Sequence, residues 1–104
     1  MATLLPGAQW FLQLQHPPVR KMIDGGCAVA ISTDYNPGSA PSGNMNANIA
    51  MACVQYKMTP EEAINAATLN SAYAMGLSGT HGSITVGKKA NVLMTEKINS
   101  IAMM

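Results

Sequence analysis

Asp34 is the residue in this sequence best placed to do chemistry. It follows Cys27-Ala28-Val29-Ala30-Ile31, a continuous apolar run, by way of Ser32 and Thr33. It opens a stretch, 35–44, with two prolines, two glycines, two serines and two asparagines. A continuous apolar run that does not alternate with polar residues reads as a strand buried on both faces, as in a parallel sheet. A carboxylate directly after such a strand sits at its C-terminal end, the face where βα-barrels build their active sites. The strand fixes the carboxylate, and the loop leaves N–H groups and side chains free to face a ligand. A carboxylate there can bind a metal and take a proton from a bound water. The plainer reading is that Asp34 forms an Asx-turn over Asn36 or caps the next element.

The other polar candidates are weaker. His16 precedes two prolines and reads as a helix cap, and His81 lies in a Ser-Gly-Thr-His-Gly turn. The two are far apart, with no HxH or HExxH spacing. Glu61 and Glu62 fall in a first helical turn, where carboxylates favour the dipole. The tyrosines and methionines read as core or interface. There is no glycine-rich phosphate loop and no G-x-S-x-G elbow.

The elements that must position Asp34 come next. Residues 2–5 read as a strand ended by a turn at Pro6-Gly7. Trp10, Phe11 and Leu12 form a bulky apolar cluster. Val19, Met22 and Ile23 recur at the spacing of one buried helix face, which Gly25-Gly26 ends. Strand, turn, helix, glycine and strand make a βαβ unit. A second helix covers 45–56, with Met45, Ile49, Ala52, Cys53 and Tyr56 on one stripe. The next helix starts at a T-x-x-E capping box: Thr59 caps, Pro60 takes the first position and Glu62 reaches back. Ile64, Ala67, Thr68, Ser71 and Met75 follow at helical spacing, with Gly76 as the stop. Residues 82–87 and 90–94 read as two short strands around a Lys-Lys turn.

Composition narrows the class. Of 104 residues, 48% are hydrophobic and 11% charged, against about 25% charged in ordinary soluble domains. So little charge predicts that much of the surface is covered by something else, whether the rest of a larger domain or a tightly packed oligomer. The net charge is +1, with six Lys and Arg in pairs at most, so the pattern does not suit nucleic acid. No apolar run approaches the roughly 18 residues of a membrane span, and the start lacks the charged region of a signal peptide. Cys27 and Cys53 each sit in an apolar run and read as small buried hydrophobes. A cytoplasmic setting follows.

Several stretches resemble one family. Ala2-Thr3-Leu4-Leu5-Pro6-Gly7-Ala8 is similar to the seventh barrel strand and turn of the imidazolonepropionases. Ser32-Thr33-Asp34-Tyr35-Asn36-Pro37-Gly38-Ser39 resembles their eighth-strand motif, T-D-[FY]-N-P-G-[ST]. Met51-Ala52-Cys53 and Met58-Thr59-Pro60-Glu61-Glu62-Ala63 resemble the helices that follow. Gly82-Ser83-Ile84 through Gly87 to Ala90 resembles the return strand shared by many amidohydrolases. The resemblance runs from about residue 2 to about residue 95, and the T-D-Y-N-P-G-S stretch is its specific part.

The resemblance implies an α/β fold: the last βα units of a TIM-type barrel over 1–80, then short strands of an incomplete small β domain over 81–104. It implies hydrolysis of the ring amide of 4-imidazolone-5-propanoate to N-formimidoyl-L-glutamate, in histidine breakdown. Asp34 falls on the metal-binding aspartate, which also takes the water's proton. Asn36 and Gly38 fall on product-binding positions, and Ser39 on a substrate-contacting one. One zinc or iron ion is implied, yet the family's His-x-His pair and its further histidine have no counterpart here, so the isolated chain is expected to be inactive. Asn91 stands where amidohydrolases often have aspartate, and residues 98–104 match nothing in the family. The implied partners are a small-molecule substrate and copies of the chain itself, as a homo-oligomer or through open strand edges. Two alternatives remain: a non-catalytic truncated chain, or another amidohydrolase such as a deaminase or a cyclic amidase.

Overall fold

Two short parallel strands anchor the molecule. A computed structural model describes residues 1–103; residue 104 of the expected second unit lies outside the described residues. Strand β1 (Ala2–Leu4) pairs with β2 (Val29–Ile31) in parallel, Ala2 opposite Val29 and Leu4 opposite Ile31. All three side chains of β2 are buried, so the strand is covered on both faces as its unbroken apolar run predicts. Burying a Val or Ile side chain fully contributes about 1.5–3 kcal/mol. The βαβ unit and the mixed α/β class are therefore present. The two ladder strands are too few to define a barrel.

Between the strands lie α1 (Pro6–Phe11) and α2 (Val19–Asp24). Pro6-Gly7 does not turn the chain, as expected from the sequence, but begins α1 at once. Proline at the first position lacks only an N–H that would be free there anyway. The Gly7 N–H is taken by Asn48 Oδ1 at 2.9 Å. Trp10, Phe11 and Leu12 are exposed, Trp10 by 65%, rather than gathered in a core. Val19 is buried, and Met22 and Ile23 pack against the core from α2 as predicted.

The remaining helices follow β2 in the chain, and the last of them packs on it. α3 (Met45–Tyr56) begins at Asn44, whose side chain accepts from the Ala47 N–H. α4 (Pro60–Asn65) carries the predicted capping box: Glu62 N–H donates to Thr59 Oγ1 at 3.2 Å and Thr59 N–H to Glu62 Oε2 at 2.9 Å. Such a cap contributes about 1 kcal/mol. The expected single helix to Met75 is interrupted. Ala66–Asn70 is a π-helical turn, and α5 (Ser71–Ala74) completes it before Gly76, at φ 71. Among the described residues no helix is long and apolar enough to cross a membrane.

Arg20 ties α2 to the start of α4. Its guanidinium forks onto Glu62 (Nη1–Oε2 2.8 Å, Nη2–Oε1 3.0 Å) and also holds Asp24 at 2.8 Å. This bidentate hydrogen bonding holds the Glu62 carboxyl below its ordinary range. The core comprises Leu4, Val19, Val29, Ile31, Ala52, Tyr56, Met58, Ala63 and Ala66.

The tail departs from expectation. Among the described residues, 82–94 holds no strand, only turns and irregular backbone, before a 3-10 turn at Ile101–Met103. The physical reason is the lack of a partner: strand backbone must pair to be stable. Here Ile84 and Met94 stand exposed, Ile84 by 93%. Gly82 packs closely, at φ 87, where a Cβ would come within 2.6 Å of Ala72 Cβ. Cys27 is exposed rather than buried, and Cys53 is half-buried. Burial pushes the Cys53 thiol up. Of the tyrosines only Tyr56 is in the core; Tyr35 and Tyr73 are exposed.

Candidate functional site

Because β1 and β2 run parallel, both C-terminal ends lie on one side of the sheet. α1 leaves from the first and the Asp34 loop from the second. Asp34 is half-buried and adopts φ 51, a left-handed conformation uncommon for a non-glycine residue. Its neighbours hold it there. The Asp34 N–H reaches Ser32 Oγ at 3.3 Å, its carbonyl accepts from Asn36 Nδ2 at 2.5 Å, and Oδ2 accepts from the Ser39 hydroxyl at 3.1 Å.

Asn36 is the frame of the loop. Its Oδ1 accepts from the N–H groups of Gly38 and Ser39, both at 2.9 Å, and its Nδ2 also donates to Ser39 Oγ at 2.7 Å. With the Asp34 carbonyl, that uses all four hydrogen-bonding positions of an amide side chain. A reciprocal backbone bridge between Asn36 and Ala40 closes the turn at 3.0 and 3.2 Å. The Asx-turn weighed for Asp34 thus belongs to Asn36. The structure brings Asp34, Asn36, Gly38 and Ser39 together in one connected turn.

The far end of the loop is pinned as well. Asn44 caps α3, and Asn48, buried, donates from Nδ2 to the Asn44 carbonyl at 2.9 Å while Oδ1 takes the Gly7 N–H. One side chain joins the loop's exit to the first turn after β1. Asn48 was not singled out from the sequence; an asparagine four places after the cap, one turn before Ala52 of the apolar stripe, was its available signal.

The histidines sit elsewhere. His16 makes an edge-on contact with Tyr56, ring centroids 6.0 Å apart, and does not cap α2, whose N-cap is Pro18. His81 Nδ1 lies 2.8 Å from Thr80 Oγ1. Glu62 is occupied by the cap and by Arg20. Among the described residues no three His, Cys, Asp or Glu side chains converge as a metal-binding group. A catalytic zinc typically takes about three protein ligands. The described residues therefore do not fit a metal by themselves; Asp34 could only be one member of a larger set. Two pockets, of about 440 and 330 Å³, lie beside α1 and beside α2 and α4. Neither is lined by the Asp34 loop.

Comparison with known proteins gives the family. The model of the amidohydrolase family matches residues 6–103, and the chain belongs to that family. Among curated relatives it is similar to the imidazolonepropionase of Flavobacterium johnsoniae, 60% identical over 100 residues that make up 96% of this chain and 24% of the relative. It is also similar to that of Parabacteroides distasonis (51% over 94 residues, 90% of this chain, 23% of the relative). The imidazolonepropionase of Bacillus mycoides is 45% identical over 100 residues, 95% of this chain and 24% of the relative. The chain spans about a quarter of the length of these relatives.

Proposed function

We propose that this chain supplies one wall of the active site of an imidazolonepropionase-type hydrolase, acting in the cytoplasm in histidine breakdown. The observation that carries the reading is Asp34, turned left-handed at the end of a buried parallel strand and bonded to Ser39 and Asn36. In the reaction, water adds to the ring carbonyl of 4-imidazolone-5-propanoate and the ring C–N bond breaks. The Asp34 carboxylate takes the proton of the attacking water and returns it to the departing nitrogen, giving N-formimidoyl-L-glutamate. The Ser39 hydroxyl aims that carboxylate and is poised to contact the imidazolone. Asn36 and Gly38 shape the turn that holds the product. Zinc or iron belongs to this reading only with further ligands outside this chain beside Asp34, and no step is assigned to it.

Residues 1–80 are read as closing βα units of a TIM-type barrel and 81–104 as the start of a small β domain. The exposed Ile84, Val86 and Met94 support a tail that awaits strand partners. The exposed Ala2 and Thr3 of β1 support self-association of the isolated chain through that edge.

A second reading, a non-catalytic chain, is favoured by the lack of a metal-ligand group among the described residues. A chimaera separates the two. This chain replaces the matching 100 residues of the Flavobacterium johnsoniae relative, and formation of N-formimidoyl-L-glutamate is followed. Turnover by the chimaera and none by the chain alone is the expected result. A folded but inactive chimaera favours the non-catalytic reading, and release of ammonia from a deaminase substrate favours another amidohydrolase.

A further inference from the structure

The helix that covers β2 is interrupted by its π turn where it meets the strand. Asn70 Nδ2 donates to the Val29 carbonyl at 2.7 Å. Ser71 Oγ lies 2.9 Å from the Ile31 carbonyl and 2.8 Å from that of Ala66, its single proton placed between two acceptors. Ser32 N–H bonds to the Leu4 carbonyl of β1 at 3.0 Å. Because backbone groups alternate along a strand, the Val29 and Ile31 carbonyls point to the opposite edge, where a neighbouring strand would bind. Two side chains reach those carbonyls here, each of which keeps a second lone pair for a neighbouring strand.

The π turn makes this possible. One residue inserted into an α-helix rotates everything after it by about 100°. The turn at Ala66–Asn70 thus sets which side of the following helix faces β2, and Asn70 and Ser71 are residues that reach it. Such turns recur at functional sites. The anchored strand is the one that leads into Asp34, and Ile31 lies three residues before it.

We infer that Asn70 and Ser71 are positioning residues for Asp34: they fix the rear of β2, so that the loop bonds at Ser39 and Asn36 act on a strand end that does not move. This rests on the reading of Asp34 given above. Placement matters because a displacement of about 1 Å can cost about a hundredfold in rate.

The test uses the complete holoenzyme carrying Ser71→Ala, Asn70→Ala or the conservative Ser71→Thr, with Glu62→Gln as a stability-matched control. Ser71→Ala and Asn70→Ala should each speed deuterium exchange over residues 29–36 by about tenfold, the loss of one partly buried hydrogen bond. They should lower kcat by about tenfold or more, with KM changed less than about threefold. Ser71→Thr, which keeps the hydroxyl, should restore both. Unchanged exchange over 29–36, or a kcat loss no larger than in Glu62→Gln at equal Tm, overturns the inference. An Asp34→Asn holoenzyme with unchanged turnover would instead overturn the reading of the site, and the positioning role with it, whatever the exchange rates.

Discussion

The Ser39 hydroxyl donates to Asp34 Oδ2 across 3.1 Å while accepting from Asn36 Nδ2 at 2.7 Å. The carboxylate is thereby aimed by a residue five places further along the chain. Ser39→Ala removes the donor and leaves the backbone frame of Asn36 intact. In the complete enzyme it should lower turnover by about tenfold, the loss of one hydrogen bond to a charged group, with little change in Tm. Steady-state kinetics beside a thermal melt check this; a fall in Tm matching the fall in rate would make Ser39 a structural residue only.

Arg20 and Glu62 make stability pH-dependent on the acid side. The guanidinium holds the Glu62 carboxyl below its ordinary range. A depressed carboxyl stabilises the folded state in full above its unfolded value of about 4.3. That contribution is lost as pH falls through the lower folded value. Glu62→Gln should therefore melt lower than the parent above about pH 5, and the two should converge as pH falls below about 4. Melting curves across that range check it. A gap that stays constant down to the lowest pH would contradict the coupling.

Tyr56 acts on the alkaline side. Its hydroxyl donates to Gln9 Oε1 within the core, and burial pushes its pKa up to about 12. Stability from the neutral phenol is complete below about pH 10, the unfolded value, and is lost as pH rises toward the folded one. Tyr56→Phe should delete the last tyrosinate step from an alkaline absorbance titration. It should also cost about 1–3 kcal/mol, because Gln9 Oε1 loses its partner. If that step persists in the variant, another phenol is the buried one.

Local chemistry made much of this legible before the fold was known. The unbroken apolar run of β2, the Thr59–Glu62 box and the α3 stripe each depend on neighbours a few places away. So does the step from Ile31 to Asp34. What escaped reading is held by distant partners. Pro6-Gly7 starts a helix whose Gly7 N–H is met by Asn48. The π turn brings side chains to β2 from about forty positions further along the chain. Residues 83–86 alternate as a strand should and 92–94 are apolar, yet neither pattern supplies a pairing partner. Cys27 and Trp10 are apolar in company but exposed in space, as low charge over an uncovered surface requires. Within the site, the motif pointed to Asp34, while the saturation of Asn36 is a property of the folded turn.

The measurement that bears most directly on Asp34 is turnover and bound metal in the complete enzyme carrying Asp34→Asn. The amide keeps the size of the side chain and can still meet Ser39, so the fold should hold, with Tm little changed. It cannot take a proton from water, and it is a poorer metal ligand than a carboxylate. The account predicts a loss of turnover of about a hundredfold or more together with lower metal content. Turnover and metal content equal to the parent's would remove Asp34 from the active site.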